Sequence, residues 1–244
     1  MPKKVFKYTF PEPLIKGKLI KRYKRFLADV ELSNGDIVVA HCTNSGSMKS
    51  CIEPGADVYL STSNNPNRKT KYTWELINID SGWVGINTLL PNQLVYEALE
   101  QNYIPEIKGY INFFREVTFE DSRFDIYAEN YTEKCFIEIK NVTYKVGKYA
   151  LFPDAVSSRG TKHLYTLISA KRQGFRAIIF YLIQRTDIEI FSVARPIDPV
   201  YATALERAID NGVEVIAYQT ITNPPYIQIL KRVPFELFKS GQIV

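Results

Sequence analysis

Asp125, Glu138 and Lys140 are the residues in this sequence whose types and spacing could do chemistry. All three lie in residues 123–140, RFDIYAENYTEKCFIEIK, which read as two strands joined by a polar turn at residues 130–133. Glu138 and Lys140 are two positions apart, so on a strand their side chains share one face. Carboxylates and a lysine inside apolar runs are costly to bury unless paired, solvated or bound to a cation. Such a set of hard oxygen donors suits Mg2+ or Mn2+. A metal there would polarise a phosphodiester and lower the pKa of a bound water. Lys140 would position that water or stabilise the charge developing on phosphorus. The same Glu-x-Lys pattern also describes a surface ion pair, and the residues alone leave both readings open.

The hairpin ahead of this stretch adds a third carboxylate. If the strands over residues 110–119 and 123–129 turn symmetrically about Glu120 and Asp121, Glu116 lies directly across from Asp125, about 5 Å away. Like charges so placed repel unless a cation lies between them. Helical spacing of apolar residues predicts helices over 91–100, 163–173 and 201–211. Strands are predicted over 110–119, 123–129, 135–142, 176–183 and 213–218, and the tail at 227–230 and after Pro234 as an edge strand. The first three strands form an antiparallel meander, and the crossover helix returns a strand parallel to it. Arg159, Lys162 and His163 stand where that helix begins, and a helix N-terminus favours phosphate. Residues 152–162 read as a turn, with Asp154 as a turn or cap residue. His41 and His163 read as structural residues, not as ligands.

Residues 1–86 have a different character. Short strand-like runs at 14–32, 36–41, 57–61, 72–79 and 83–87, with a hairpin signal at Asn34-Gly35, fit a small barrel of the OB type. Such barrels bind single strands through a basic face bearing aromatics. Lys21, Arg22, Lys24 and Arg25 in the first run, and Arg68, Lys69 and Lys71 in the polar loop 63–71, supply the charge. Tyr23, Tyr59, Tyr72 and Trp74 supply rings for binding or for the barrel core. Residues 1–85 hold 13 Lys+Arg against 8 Asp+Glu, whereas residues 86–244 hold 18 of each. This asymmetry suggests a polyanion gripped by one part and processed by the other, although an excess of +5 is also common in proteins that bind no polyanion.

No apolar run approaches the roughly 18 residues that span a bilayer, so no membrane partner is expected. The lysines at the N-terminus have no apolar stretch behind them, so no signal peptide is expected. Three cysteines, Cys42, Cys51 and Cys135, then read as reduced thiols of a cytoplasmic protein. No Cys/His cluster has zinc-ligand spacing.

The strings LIKRYKRFLADVEL, HCTNSGSM, EPGADVYLS, NPNRKTKYTWEL, SRFD, CFIEIKNVTY, ALFPDAVSSRGTKHL and IDPVYATAL resemble the sugar fermentation stimulation protein family of bacteria and archaea, over roughly residues 10 to 232. The resemblance implies an α+β chain of two domains. An N-terminal five-stranded OB-type barrel occupies residues 1–86. A C-terminal α/β domain with a mixed sheet, similar to PD-(D/E)XK nucleases, occupies residues 87–244. It places Asp125, Glu138 and Lys140 in that nuclease motif, with Phe124 where the motif has proline. It adds Glu97 as a metal ligand and Lys162 as a further active-site group. DNA is the implied partner, bound without sequence specificity. A metal-dependent nuclease and a non-enzymatic DNA-binding regulator of sugar (maltose) metabolism genes both follow from it. The family name alone suggests a sugar- or metabolite-binding protein, for which the residues offer no pocket.

Overall fold

The computed structural model describes residues 5–80 and 82–238. The very start of the chain and residues 239–244 of the expected C-terminal edge strand lie outside them. The first strand, β1 (Lys7–Thr9), is not part of the barrel. The run expected as one strand over 14–32 is two, β2 (Ile15–Tyr23) and β3 (Leu27–Leu32). Lys24 and Arg25 turn the chain between them at left-handed φ values of 48° and 64°. Neither is a residue that favours this region. The turn is held by Arg22 Nε, which donates to the Arg25 carbonyl at 3.1 Å.

Next come β4 (Ile37–His41), β5 (Asp57–Thr62), β6 (Tyr72–Ile79) and β7 (Gly82–Gly85). β4, β3, β2, β5 and β6 pair antiparallel in that order, and a short parallel pairing of β4 with β6 closes the five into a barrel of the expected OB type. Its membership differs from expectation, because β7 only extends β6. Leu60, Val30, Met48 and Trp74 fill the interior. Trp74 is fully buried, with its indole N–H on the Leu76 carbonyl at 3.0 Å, so it is core and not a nucleic-acid platform.

The second part runs α1 (Leu90–Glu100), β8 (Asn112–Phe119), β9 (Ser122–Glu129), β10 (Lys134–Val142), β11 (Tyr144–Val146), β12 (Tyr149–Phe152), α2 (Ser158–Arg172), β13 (Arg176–Ile183), β14 (Ile190–Val193), α3 (Pro199–Asp210), β15 (Glu214–Asn223) and β16 (Tyr226–Arg232). Seven strands form a mixed sheet in the order β1-β16-β15-β13-β10-β9-β8, with β10, β13 and β15 parallel. α1 packs on one face and α2 with α3 on the other, each through its apolar stripe. β11, β12 and β14 make a small second sheet that periodicity did not reveal, since strands of three and four residues carry too few alternations.

α2 begins five residues earlier than its apolar spacing suggested. Ser157 caps it, its Oγ accepting the Gly160 N–H at 3.1 Å, so Arg159, Lys162 and His163 all lie on the helix. β16 is flanked by β15 and β1, so it is not an edge strand. After Pro234 the described residues make one isolated bridge, Phe235 to Phe191.

Candidate active site between the barrel and the large sheet

The site forms where the β9–β10 ladder opens. β9 and β10 pair from Lys134–Glu129 to Ile137–Ile126 and then separate. Beyond that point the Ile139 N–H is free of β9, and Asp125 takes it at 2.7 Å through Oδ2. Asp125 Oδ1 accepts the Asn92 side-chain amide of α1 at 2.6 Å. Burial pushes the Asp125 carboxyl up to about 7, and the charge of Glu138 adds to the shift; the Ile139 N–H, Lys140 and Asn92 oppose it.

Glu138 is 2 % exposed, on the α2 face of β10. Burial works against its charge, but Lys140 and His163 outweigh burial and hold its carboxyl below the usual range. Lys140 Nζ donates to Oε1 at 2.5 Å, the shared face that their spacing dictated. His163 Nδ1 reaches the same oxygen. Arg159 Nε donates to His163 Nε2 at 3.4 Å, which puts the imidazole proton on Nδ1, toward Glu138. The other oxygen, Oε2, is buried without a hydrogen-bond partner among the described residues.

These residues floor a cleft of about 380 Å³ whose opposite wall comes from the barrel. The small-residue loop at 44–48 is fixed there by its backbone. Arg22 donates to the carbonyls of Asn44 and Gly46 at 2.8 and 3.1 Å, and Arg25 to that of Ser45 at 2.9 Å. Asp154 Oδ2 accepts the Met48 N–H at 2.9 Å. Gly46 is required by this approach, because a Cβ there would lie 2.2 Å from Asp154 Oδ1. A second tie lies behind the cleft. Arg185, 1 % exposed, grips Asp187 through both Nε and Nη2 and donates to the carbonyls of Ser50 at 3.3 Å and Thr143 at 3.1 Å.

Three residues expected at the site stand elsewhere. The hairpin register is as expected on both sides of Glu116, from Arg115–Ile126 to Val117–Phe124, but Glu116 itself has φ 58° and drops out of the pairing. Its exposed carboxylate meets Arg123 Nε at 2.7 Å instead of Asp125. Glu97 lies on another face of α1, where it accepts from Gln93 at 2.9 Å; Asn92 is the α1 residue that reaches the site. Lys162 is exposed and turns to the β8–β9 turn, bonding the Asp121 carbonyl at 2.8 Å and its carboxylate at 3.0 Å. Asn92, Asp154 and Arg185 were not legible as functional, since their roles depend on contacts between distant segments.

The basic residues divide into two groups. Arg22 holds the barrel loop, and Arg68 donates to Thr73 Oγ1 at 2.9 Å. Lys24, Lys69 and Lys71 are exposed, and Lys21 is exposed with Asp29 at 3.5 Å. Arg25 and Arg159 are exposed and line the cleft.

Residues 89–225 match the family model of the sugar fermentation stimulation protein RE domain, and residues 20–86 that of the SfsA N-terminal OB domain. The chain belongs to the sugar fermentation stimulation protein family. Within this family, a homolog from Geobacter metallireducens is 50% identical over 226 residues, 92% of this chain and 97% of its own length. One from Geobacter sulfurreducens is 48% identical over 225 residues, 92% and 97% of the two chains. The family's Pyrococcus furiosus SfsA, solved in complex with Ca2+, matches with a TM-score of 0.86 at 27% identity, covering 94% of this chain and 98% of that one. No helix among the described residues is long and apolar enough to cross a membrane.

Proposed function

We propose that this chain is a cytoplasmic DNA-binding protein whose cleft hydrolyses phosphodiester bonds with the help of Mg2+ or Mn2+. The observation that carries the reading is Glu138 Oε2, a buried carboxylate oxygen with no hydrogen-bond partner among the described residues, beside Asp125 and opposite an oxygen neutralised by Lys140. Burying an unpartnered charged oxygen is costly, and a cation would satisfy it. Among the described residues no three His, Cys, Asp or Glu side chains gather to hold a metal. Two carboxylates nonetheless suit Mg2+, which is commonly bound by one or two carboxylates, waters and substrate phosphate. The Ca2+ of the Pyrococcus furiosus relative supports a divalent ion.

When bound, such an ion polarises the phosphodiester and activates water. Asp125 and Glu138 would hold it. Asn92 and the Ile139 N–H orient Asp125, and His163, steadied by Arg159, orients Glu138. Lys140 stands where it can donate to the attacked phosphate or its water. Arg25 and Arg159 at the cleft would meet flanking phosphates, and Lys21, Lys24, Lys69 and Lys71 would track the backbone further out.

A second reading, DNA binding by a regulator of sugar metabolism genes without turnover, is favoured by one observation: both Asp125 oxygens already accept hydrogen bonds. One experiment separates the two. Single- and double-stranded DNA are incubated with the protein in Mg2+ or Mn2+. Cleavage by the wild type, lost in Glu138→Ala, is expected; the same absence of cleavage in both proteins on every substrate defeats the enzymatic reading.

A further inference from the structure

The strandedness of the nucleic acid follows from what else lines the cleft, given the reading above that the cleft takes nucleic acid. Access to Asp125 and Glu138 lies between the barrel loop on one side and the start of α2 on the other. The barrel side is pinned by the Arg22, Arg25 and Asp154 hydrogen bonds, so widening the cleft means breaking them. Its volume of about 380 Å³ is near the low end of the roughly 300–1,000 Å³ of small-molecule sites. That is room on the scale of a nucleotide.

Two residues that line the cleft suit a base and not a phosphate. Tyr144 is half-buried and lines it. Its ring packs on no other ring and its hydroxyl makes no hydrogen bond within the described residues. Val156 also lines the cleft and is 77% exposed, an apolar surface left open at the mouth. In a duplex the base faces are stacked and paired, away from such a ring; an unpaired strand offers them freely.

We propose that the cleft takes one unpaired strand, with a base beside the bound phosphate stacked on Tyr144 and brushing Val156. Single-stranded DNA, or the frayed end of a duplex, is then the preferred substrate class.

The test reads binding in EDTA, where cleavage does not consume the probe. A fluorescently labelled oligonucleotide is titrated as a single strand and as a blunt duplex. The wild type is expected to bind the single strand more tightly. Tyr144→Ala should weaken that binding by about 5- to 150-fold, the range for losing one base–aromatic stack, and Tyr144→Phe should retain it. A duplex bound as tightly as the single strand, or an unchanged single-strand affinity in Tyr144→Ala, overturns the proposal. If circular dichroism shows Tyr144→Ala unfolded, the comparison of the two probes on wild type and Tyr144→Leu decides. Cleavage is read separately in Mg2+ or Mn2+. Tyr144-dependent binding without cleavage leaves this inference standing and removes the hydrolytic one; cleavage with duplex preference does the reverse.

Discussion

Asp154 Oδ2 accepts the backbone N–H of Met48 at 2.9 Å, a bond between residues 106 positions apart that fixes the barrel loop against the floor of the cleft. Gly46 sits under the same carboxylate with no room for a Cβ. Because Arg22 and Arg25 hold the loop from the other side, an added methyl has to be absorbed at Asp154.

Gly46→Ala is therefore expected to destabilise the protein by about 1–3 kcal/mol. Asp154→Ala should do so as well, by leaving the Met48 N–H unpaired. The double variant should lose less than the sum, because removing the carboxylate makes room for the methyl. Urea unfolding of the four proteins measures this; strictly additive losses would show that the two residues do not press on each other.

Asp125→Asn should stabilise the metal-free protein at alkaline pH. The folded carboxyl lies at about 7, above its ordinary 3.8, so its charged form is disfavoured by folding. The cost is absent below about pH 4, grows as pH rises and is complete above pH 7. The gain in Asp125→Asn should be on the order of a few kcal/mol at pH 8 and vanish near pH 4. Thermal melts in EDTA across this range check it; a gain that does not vary with pH would contradict the assignment.

Arg185 ties the sheet to the barrel, so Arg185→Leu should cost about 1–3 kcal/mol by leaving the Ser50 carbonyl without its donor, while Asp187 keeps Lys145 and the Thr143 carbonyl keeps the Ser50 hydroxyl. Burial pushes the Asp187 carboxyl up, but Arg185 and Lys145 outweigh it and hold it at about 2, against an ordinary 3.8. A lowered carboxyl contributes stability above its unfolded value and loses it as pH falls through the folded one. Wild-type stability should thus fall between about pH 4 and pH 2 more steeply than that of Asp187→Asn, read by denaturant midpoints.

Neutralising the exposed lysines should separate binding from folding. Replacing Lys21, Lys24, Lys69 and Lys71 by Gln should leave the melting temperature within a few degrees and flatten the salt dependence of DNA binding. Each lost phosphate contact should reduce the log–log slope by roughly 0.7–0.9. Arg22→Gln should instead lower stability, since its guanidinium holds Arg25, Asn44 and Gly46. An unchanged salt slope in the lysine variant would place the polyanion elsewhere.

Glu138 and Lys140 were legible because strand periodicity is rigid: two positions apart means one face, and their ion pair follows. The register of β8 against β9 was legible for the same reason, from the symmetry of the hairpin. Glu116 was not, because one residue with left-handed φ leaves the register intact yet takes its own side chain out of the ladder. Lys24 and Arg25 hid a turn, since neither is glycine or asparagine and the bonds that hold it come from Arg22 and the loop beyond. The family resemblance pointed to α1 but to Glu97; the side chain that arrives, Asn92, is decided by how the helix is rotated on the sheet. Contacts such as Asp154–Met48 and Arg185–Ser50 join segments that share no local pattern, so they become visible only once the chain is folded.

The pairing of β1 with β16 sets an order of assembly. β1 precedes the barrel in the chain yet belongs to the same sheet as β16, which follows the rest of that sheet, with Phe6 and Phe10 beside it buried against α1 and its neighbours. The barrel is in effect looped out between the first strand and the body of its own partner domain. It can close while the chain is still being made, whereas β1 waits until β16 has emerged. Cutting the chain between barrel and sheet would therefore yield two fragments of which one lacks a strand.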